Sequence, residues 1–586
     1  MVQLHRLRLS IDDSSLIPVL NSIRAELELP ESFPPDVLAQ AERACEQWEQ
    51  FLEAVGRTNP LSLDDDSSER QLSYAQLVTF KDVALPAHAG VFPDLDPQAL
   101  PRLDATHIPF VTIDPEGSRD LDQAVHFHRI RPDDATAPEG GAVLITYAIA
   151  SLATFVPAGS ALDQEVRSRG LTVYLPDEST PLHPPVLSED AASLLPGQVA
   201  PACVWQIVLD EDGRHLSATV RRALARSRSQ LTYEQVHESW RRSTPLPNTP
   251  ADMVELLQEV GNQRRRIETE RGGVSSPTPE QEIVRHKDTD GSSRYRLEFR
   301  ANTPAEEWNA QISLLTGICA AEKMRAAGLA ILRTVPAADD FSFRRLRSVA
   351  RLLHVEWPSK MPYSDLVPTL DPRDSQHASF LLQAMSLYRG AAYQVFARHP
   401  KEGQAAFPAP GDAQSQHAAI AAEYGHATAP LRRLVDRWTS EICLSYDQGV
   451  PIPTWLGDSI DDIPGLMAEA GQRASAAERA AVAATSAKIL SGHEGELFHG
   501  VITERRGQER GRDHGPRSER PTGEERQDEE QGERGKVMVV EPAVMATVVA
   551  LQVDDNLPLG EETDVRLDLA DVTQRKVRFT WTEGME

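Results

Sequence analysis

Three aspartates, Asp114, Asp120 and Asp122, fall within the fifteen residues VTIDPEGSRDLDQAV. The β-rich run ahead of Asp114 reads as a strand that ends on that carboxylate, and Pro115 with Gly117 reads as the turn that follows. Such a turn can gather all three side chains around one point. Oxygen donors alone select hard cations, and a few carboxylates completed by waters and a substrate phosphate suit magnesium. The chemistry expected there is phosphodiester hydrolysis, with one or two metals activating water and stabilising the leaving oxygen. Spacing alone supports no more than a candidate divalent-metal site, because acidic turns of this kind are usually solvated.

The elements that must hold the cluster belong to a long stretch from about 106 to 495. It opens on the strand-like IPFVTI and VLITYAIA and turns helical after about Thr303. Strands first and helices later indicate an α+β domain, large enough to surround a channel. Before it, residues 1–60 read as a helical segment, LIPVLNSIRAEL and PDVLAQAERACEQWEQFLEAV, with a helix-turn-helix as one option. Residues 61–105, acidic and punctuated by proline, read as a connector or a small irregular layer. After it, residues 496–503 and 537–586 read as short strands of one OB-type barrel. Residues 504–536, rich in both charge signs and poor in large apolar side chains, read as a disordered charged insertion in that barrel.

A chain of 586 residues calls for several domains. The formal charge of −28 argues against general attraction to nucleic acid, since phosphate binding rests on Lys and Arg. Arginines gathered along one channel can still attract phosphate, because local potential matters more than net charge. Cys45, Cys203, Cys319 and Cys443 show no CxxC spacing and no nearby histidine cluster, so they read as reduced structural thiols. No apolar run is long enough for a membrane span, and MVQLHRLRLSIDD reaches acidic residues too soon for a leader core, so a cytoplasmic location is expected.

The stretch TIDPEGSRDLDQA resembles the ribonuclease II family signature TIDxxxxxDxDDA. The resemblance continues in order through FVPAGSALDQEVRSRGLTVYLPD, PLHPPVLSEDAASLLPGQ and SRSQLTYEQV, and reaches TAPLRRLVD, which is similar to the family's TSPIRRYxD. It spans roughly residues 106–450 and implies a large α+β catalytic domain followed by an OB-type RNA-binding barrel. It also implies that Asp120, Asp122 and Arg432 are catalytic, with Asp114, Asp120, Asp122 and Gln123 at the metal positions. By the same resemblance Tyr174 stacks on the 3′-terminal nucleotide, while Arg432, Arg433 and Gln311 contact RNA. The implied activity is processive 3′-to-5′ hydrolysis of single-stranded RNA to nucleoside 5′-monophosphates, with Mg2+ as cofactor and Mn2+ as a substitute. A monomer with no obligate protein partner is expected.

Several positions depart from the family pattern. Gln123 stands in place of a fourth aspartate and Gln311 in place of a glutamate, while Ser276 lies near a second stacking aromatic. Ser151 and Leu434 also differ. On charge grounds Gln123→Asp is expected to lower the magnesium requirement. The alternative function is an RNA-binding protein whose site is weak or inactive. The family's two cold-shock barrels, expected ahead of the catalytic domain, have no counterpart in the helical residues 1–60.

Overall fold

Alternate residues of VLITYAIA enter two different cores in the computed structural model, which describes residues 9–57, 59, 72–85, 92–278, 280–287, 293–506, 532–552 and 555–583. Val143, Ile145, Tyr147 and Ile149 of this strand face one core, while Leu144 and Ala148 face the other. The strand Val199–Leu209 divides in the same way, with Trp205 and Ile207 on one side and Val204 and Val208 on the other. A sheet apolar on both faces requires a layer over each.

Phe110–Asp114 pairs antiparallel with Gln123–Arg129, which pairs with Val143–Ala150 and through it with Val199–Leu209. The long strand His215–Thr232 closes this order. Its first part runs antiparallel to Val199–Leu209, and its last residues run parallel to Phe110–Asp114, with Thr232 opposite Asp114. The sheet therefore curls back on itself, and Asp114 sits where two strands end together.

Over the first core lies the helix Pro304–Ala327, which packs against Met253–Arg271 and Val435–Gln448. Thr303 starts it with a capping box to Glu306, and Gly328 ends it in the left-handed conformation. The second core is covered by the short helix Tyr74–Val78 with Phe80, so part of the expected connector forms a layer of the domain. Residues 61–71 and 86–91 of that connector lie outside the described residues.

Asp13–Glu26 and Pro35–Ala54 are helices, as the apolar spacing indicates, but their faces go to different places. Leu16, Leu20 and Ile23 pack with Ala477, Ala481 and Ala484, whereas Trp48, Phe51 and Leu52 join the main core. A helix-turn-helix packs its two helices on each other, so these helices are packing elements instead. Ile11–Asp12 adds a further strand to the hairpin Glu280–Lys287 and Ser293–Arg300.

Five strands, Leu497–Arg506, Arg534–Val539, Val544–Ala550, Glu562–Asp571 and Lys576–Trp581, close into the OB-type barrel. Its interior holds Phe498, Val537, Val548 and Phe579, with Ile489 and Leu490 of the preceding helix packed in the same cluster. The barrel reaches into the expected insertion, because Glu504, Arg505 and Arg506 pair with Lys536, Gly535 and Arg534. Residues 507–531, the rest of that insertion, lie outside the described residues. Among the described residues no helix is long and apolar enough to cross a membrane.

Candidate active site

Each aspartate is placed by a different local constraint. Asp114 ends a strand whose preceding residues are all buried. Pro115 cannot donate to a ladder, and the turn passes through Gly117 at φ 82°, a conformation that favours glycine. Leu121 is then drawn into the second core, while its backbone N–H donates to Ser193 Oγ and its carbonyl accepts from Leu194. Its two neighbours, Asp120 and Asp122, are fixed as a consequence.

Asp122 is only 2% exposed. Its Oδ1 accepts the backbone N–H of Leu431 at 2.8 Å, and its Oδ2 lies 3.4 Å from Arg432 Nε. That approach is an ion pair without a hydrogen bond. Asp122 Oδ2 and Asp114 Oδ2 are both shielded from solvent and have no hydrogen-bond partner. Burial raises the Asp114 carboxyl to about 7 and the Asp122 carboxyl to about 8; Arg432 opposes the rise and Asp120 adds to it. Buried carboxylate oxygens without donors are costly. A divalent cation would supply the missing partner, so these residues fit a metal site with Asp114 and Asp122 as its natural holders.

Arg432 arrives on a loop tied down from several sides. Thr172 N–H donates to the Arg432 carbonyl at 3.0 Å, and Leu434 N–H donates to that of Gly170. A side chain at Gly170 would meet Ala470 Cβ at 2.6 Å, which requires glycine there. His183 Nδ1 donates to the Leu431 carbonyl at 3.1 Å, and burial lowers this histidine to about 4, leaving it neutral. With the loop so held, the Arg432 side chain remains 48% exposed beside the buried Asp122. Tyr174 stands at the same opening, 51% exposed, with its hydroxyl donating to Asp120 Oδ2 at 2.7 Å. The structure thus gathers Asp114, Asp120, Asp122, Tyr174 and Arg432.

Three further expected site residues are held by bonds within the protein. Arg433 places Nε and Nη2 on Asp436 at 2.6 and 2.7 Å, and Asp436 also accepts the Ala429 N–H. Through these two nitrogens its guanidinium braces the loop. Gln311 is buried and donates to Glu268, which also accepts from Ser275. Gln123 donates to the Thr428 carbonyl at 2.6 Å while its amide oxygen accepts from Tyr147 and Ser313. Both acceptor positions of that oxygen are taken, which corrects the expectation that it ligates a metal.

The Gln123→Asp prediction therefore changes. A shorter carboxylate would abandon the Thr428 carbonyl and leave Tyr147 and Ser313 poorly matched. We expect an unchanged magnesium requirement and a loss of about 1–3 kcal/mol of stability, read by magnesium titration of the rate and by denaturant unfolding. A lowered magnesium requirement would contradict this reading.

Tyr233 was not singled out from the sequence. It follows Thr232, the residue in register with Asp114, and opens the helix Tyr233–Arg242 through a capping box. Its hydroxyl accepts from Asn309 at 3.4 Å, and burial together with the Asp114 charge pushes it up to about 12. The capping box TYEQ directly after a strand was the legible signal.

Residues 102–443 match the RNB domain, and the chain belongs to that family. Residues 525–581 match the RNase II-type exonuclease C-terminal S1 domain. Ribonuclease R of Escherichia coli (strain K12) is 27% identical over 423 residues, covering 69% of this chain and 48% of that protein. The chain thus spans about half the length of that relative. Among solved structures, Mycoplasma genitalium RNase R in complex with ribose methylated single-stranded RNA aligns with TM-score 0.70 at 17% identity, covering 97% of this chain and 78% of that one. Yeast Ssd1, described as a pseudonuclease, aligns with TM-score 0.55 at 14% identity, covering 82% of this chain and 54% of that one. These likenesses show a shared fold.

Proposed function

We propose that the chain is a magnesium-dependent 3′-to-5′ exoribonuclease that shortens single-stranded RNA processively and releases nucleoside 5′-monophosphates. The observation that carries this reading is the pair of buried Oδ2 oxygens of Asp114 and Asp122, neither with a hydrogen-bond donor, beside the Arg432 guanidinium, within an RNB domain. Asp114 and Asp122 would hold a magnesium ion there, or manganese in its place, which would supply activation of the attacking water and offset charge on the leaving oxygen. Arg432 meets the scissile phosphate and stabilises the charge that develops on it. Tyr174 offers its ring to the terminal base and, through its hydroxyl, fixes the Asp120 carboxylate. A cytoplasmic location and a monomeric state belong to the same reading. Chromatography of the products tests it: nucleoside 5′-monophosphates are expected, and 3′-phosphate or cyclic products would refute the assigned chemistry.

Stacking on an aromatic ring is worth about 1–3 kcal/mol per base. Tyr174→Ala is therefore expected to weaken binding of a short single-stranded RNA roughly 5- to 150-fold, measured by fluorescence anisotropy in an Asp122→Asn background. Tyr174→Phe should keep most of that affinity, and equal losses in the two variants would exclude stacking.

A cation must displace protons from carboxyls standing at about 7 and about 8. The magnesium concentration for half-maximal rate is expected to rise as pH falls through this range, about tenfold per pH unit for each proton displaced. Titrations at several pH values between 6 and 9 check this, and a constant requirement would contradict it. Without a cation, the folded chain retains protons that the unfolded chain loses near 3.8, so the stability these groups contribute falls as pH rises from there toward 8.

The second reading, an RNA-binding protein without turnover, rests on the Asp114 and Asp122 carboxyls, which burial holds protonated toward neutral pH and so against a cation, within a fold shared with a pseudonuclease. Tight RNA binding with no product at any magnesium concentration would establish it.

A further inference from the structure

Cys319 has no ligand-spaced companion in the sequence apart from Glu322, one helical turn onward on Pro304–Ala327 and so on the same face. The fold adds His215, the first residue of the strand His215–Thr232. One imidazole nitrogen, the thiol sulfur and one carboxylate oxygen all lie within 4.8 Å of one another, and His215 Nε2 is 3.0 Å from Glu322. Cys319 is 1% exposed and forms the floor of the group, whereas the Glu322 side chain is 55% exposed and opens it to solvent.

The hairpin leading to His215 is held in advance. Arg264 Nη1 donates to the Gly213 carbonyl at 2.9 Å, Gln263 Nε2 to that of Glu211 at 3.0 Å, and Arg266 Nη2 to that of Asp212 at 3.1 Å. Gly213, at φ +85°, lies so close to Gln263 that a Cβ would meet that side chain at 2.6 Å. His215 is thus presented to the helix by a clamped turn.

We propose that His215 Nε2, Cys319 Sγ and the Glu322 carboxylate bind one divalent cation of the zinc class, with a fourth position open to solvent. Thiolate, imidazole and carboxylate together suit zinc, whereas magnesium takes oxygen donors, so this site is chemically separate from the aspartates. Zinc bonds of about 2.0–2.3 Å place tetrahedral ligand atoms about 3.3–3.8 Å apart, which the sulfur reaches by a small side-chain movement. Burial pushes the free thiol up to about 12; Glu322 reinforces the rise, while Arg264 and Lys323 oppose it. A dication would reverse that balance and release the thiol proton to solvent, the thiolate and carboxylate then neutralising its charge. The positive charge of Arg264 weighs against cation entry but favours the thiolate. Once bound, the ion would tie one end of the strand whose other end pairs with Asp114 to the helix that carries Ser313 and Asn309.

The test uses the full chain, stripped with a chelator and kept in excess magnesium, and titrates it with cobalt(II). One equivalent is expected to produce a thiolate-to-cobalt charge-transfer band, which zinc then removes stoichiometrically. Cys319→Ser should abolish the band, and His215→Ala and the half-exposed Glu322→Gln should weaken cobalt binding at least tenfold. Zinc should raise the thermal midpoint of the parent chain and not that of Cys319→Ser. Cobalt binding without a thiolate band, or equal binding by Glu322→Gln, would overturn the proposal and leave His215 and Glu322 as an ion pair only. The aspartates supply no sulfur, so the band separates this site from the proposed catalytic one.

Discussion

Asp122→Asn is expected to leave an intact protein that binds single-stranded RNA and does not degrade it. Asparagine keeps the shape of the side chain and the acceptor that receives the Leu431 N–H, so the loop carrying Arg432 stays in place. The negative charge is lost, and with it the buried oxygen that a cation would satisfy. Stability should fall only modestly, because the Leu431 N–H keeps its acceptor and the Arg432 guanidinium, which loses its ion pair, is half-exposed to water. The rate should fall at least about a thousandfold, since the position supplies both a metal ligand and the correct charge. Initial rates on a labelled oligonucleotide, with affinity measured in parallel, separate loss of chemistry from loss of binding. A rate within tenfold of the parent chain would remove Asp122 from the chemistry.

The second large effect is expected at Arg432. Its guanidinium is the cation beside Asp122, and it acts against the upward shifts of both Asp114 and Asp122. Arg432→Ala should lower kcat about 100- to 1000-fold with a smaller change in KM, as expected when a donor to a developing charge is removed. It should also move the acidic limb of the rate profile to higher pH, because both carboxyls lose the charge that favours their ionised forms. Lysine should recover only part of the rate, having a point charge but no planar fork. A loss confined to KM, with no movement of the profile, would make Arg432 a general RNA contact.

The gathering of Asp114, Asp120 and Asp122 was legible in the sequence because strand, turn and carboxylates lie within fifteen residues. Arg432 and Tyr174 were legible only through ordered motifs, since the bonds that bring them together join residues distant in the chain, such as Thr172 and Arg432. Gln123 was misread for a related reason. Its partners Tyr147, Ser313 and Thr428 lie 24, 190 and 305 residues away, and no local pattern announces them. Charge counting saw a missing carboxylate where the fold has a hydrogen-bonded amide. The supporting place of Arg433 beside Arg432 has a local basis, because Asp436 three residues on holds its guanidinium. The barrel was visible as alternating strands, but its edges were not: Glu504 to Arg506 are charged in sequence yet paired in the ladder, where backbone bonds set the boundary.

The central claim, that the aspartate cluster and Arg432 perform stepwise phosphodiester hydrolysis, is tested most directly by following 5′-end-labelled single-stranded RNA in the presence of magnesium. The account predicts progressive shortening from the 3′ end that stops when magnesium is chelated and is absent in Asp122→Asn. RNA that is bound yet stays at full length at every magnesium concentration, or shortening that persists undiminished in Asp122→Asn, would contradict it.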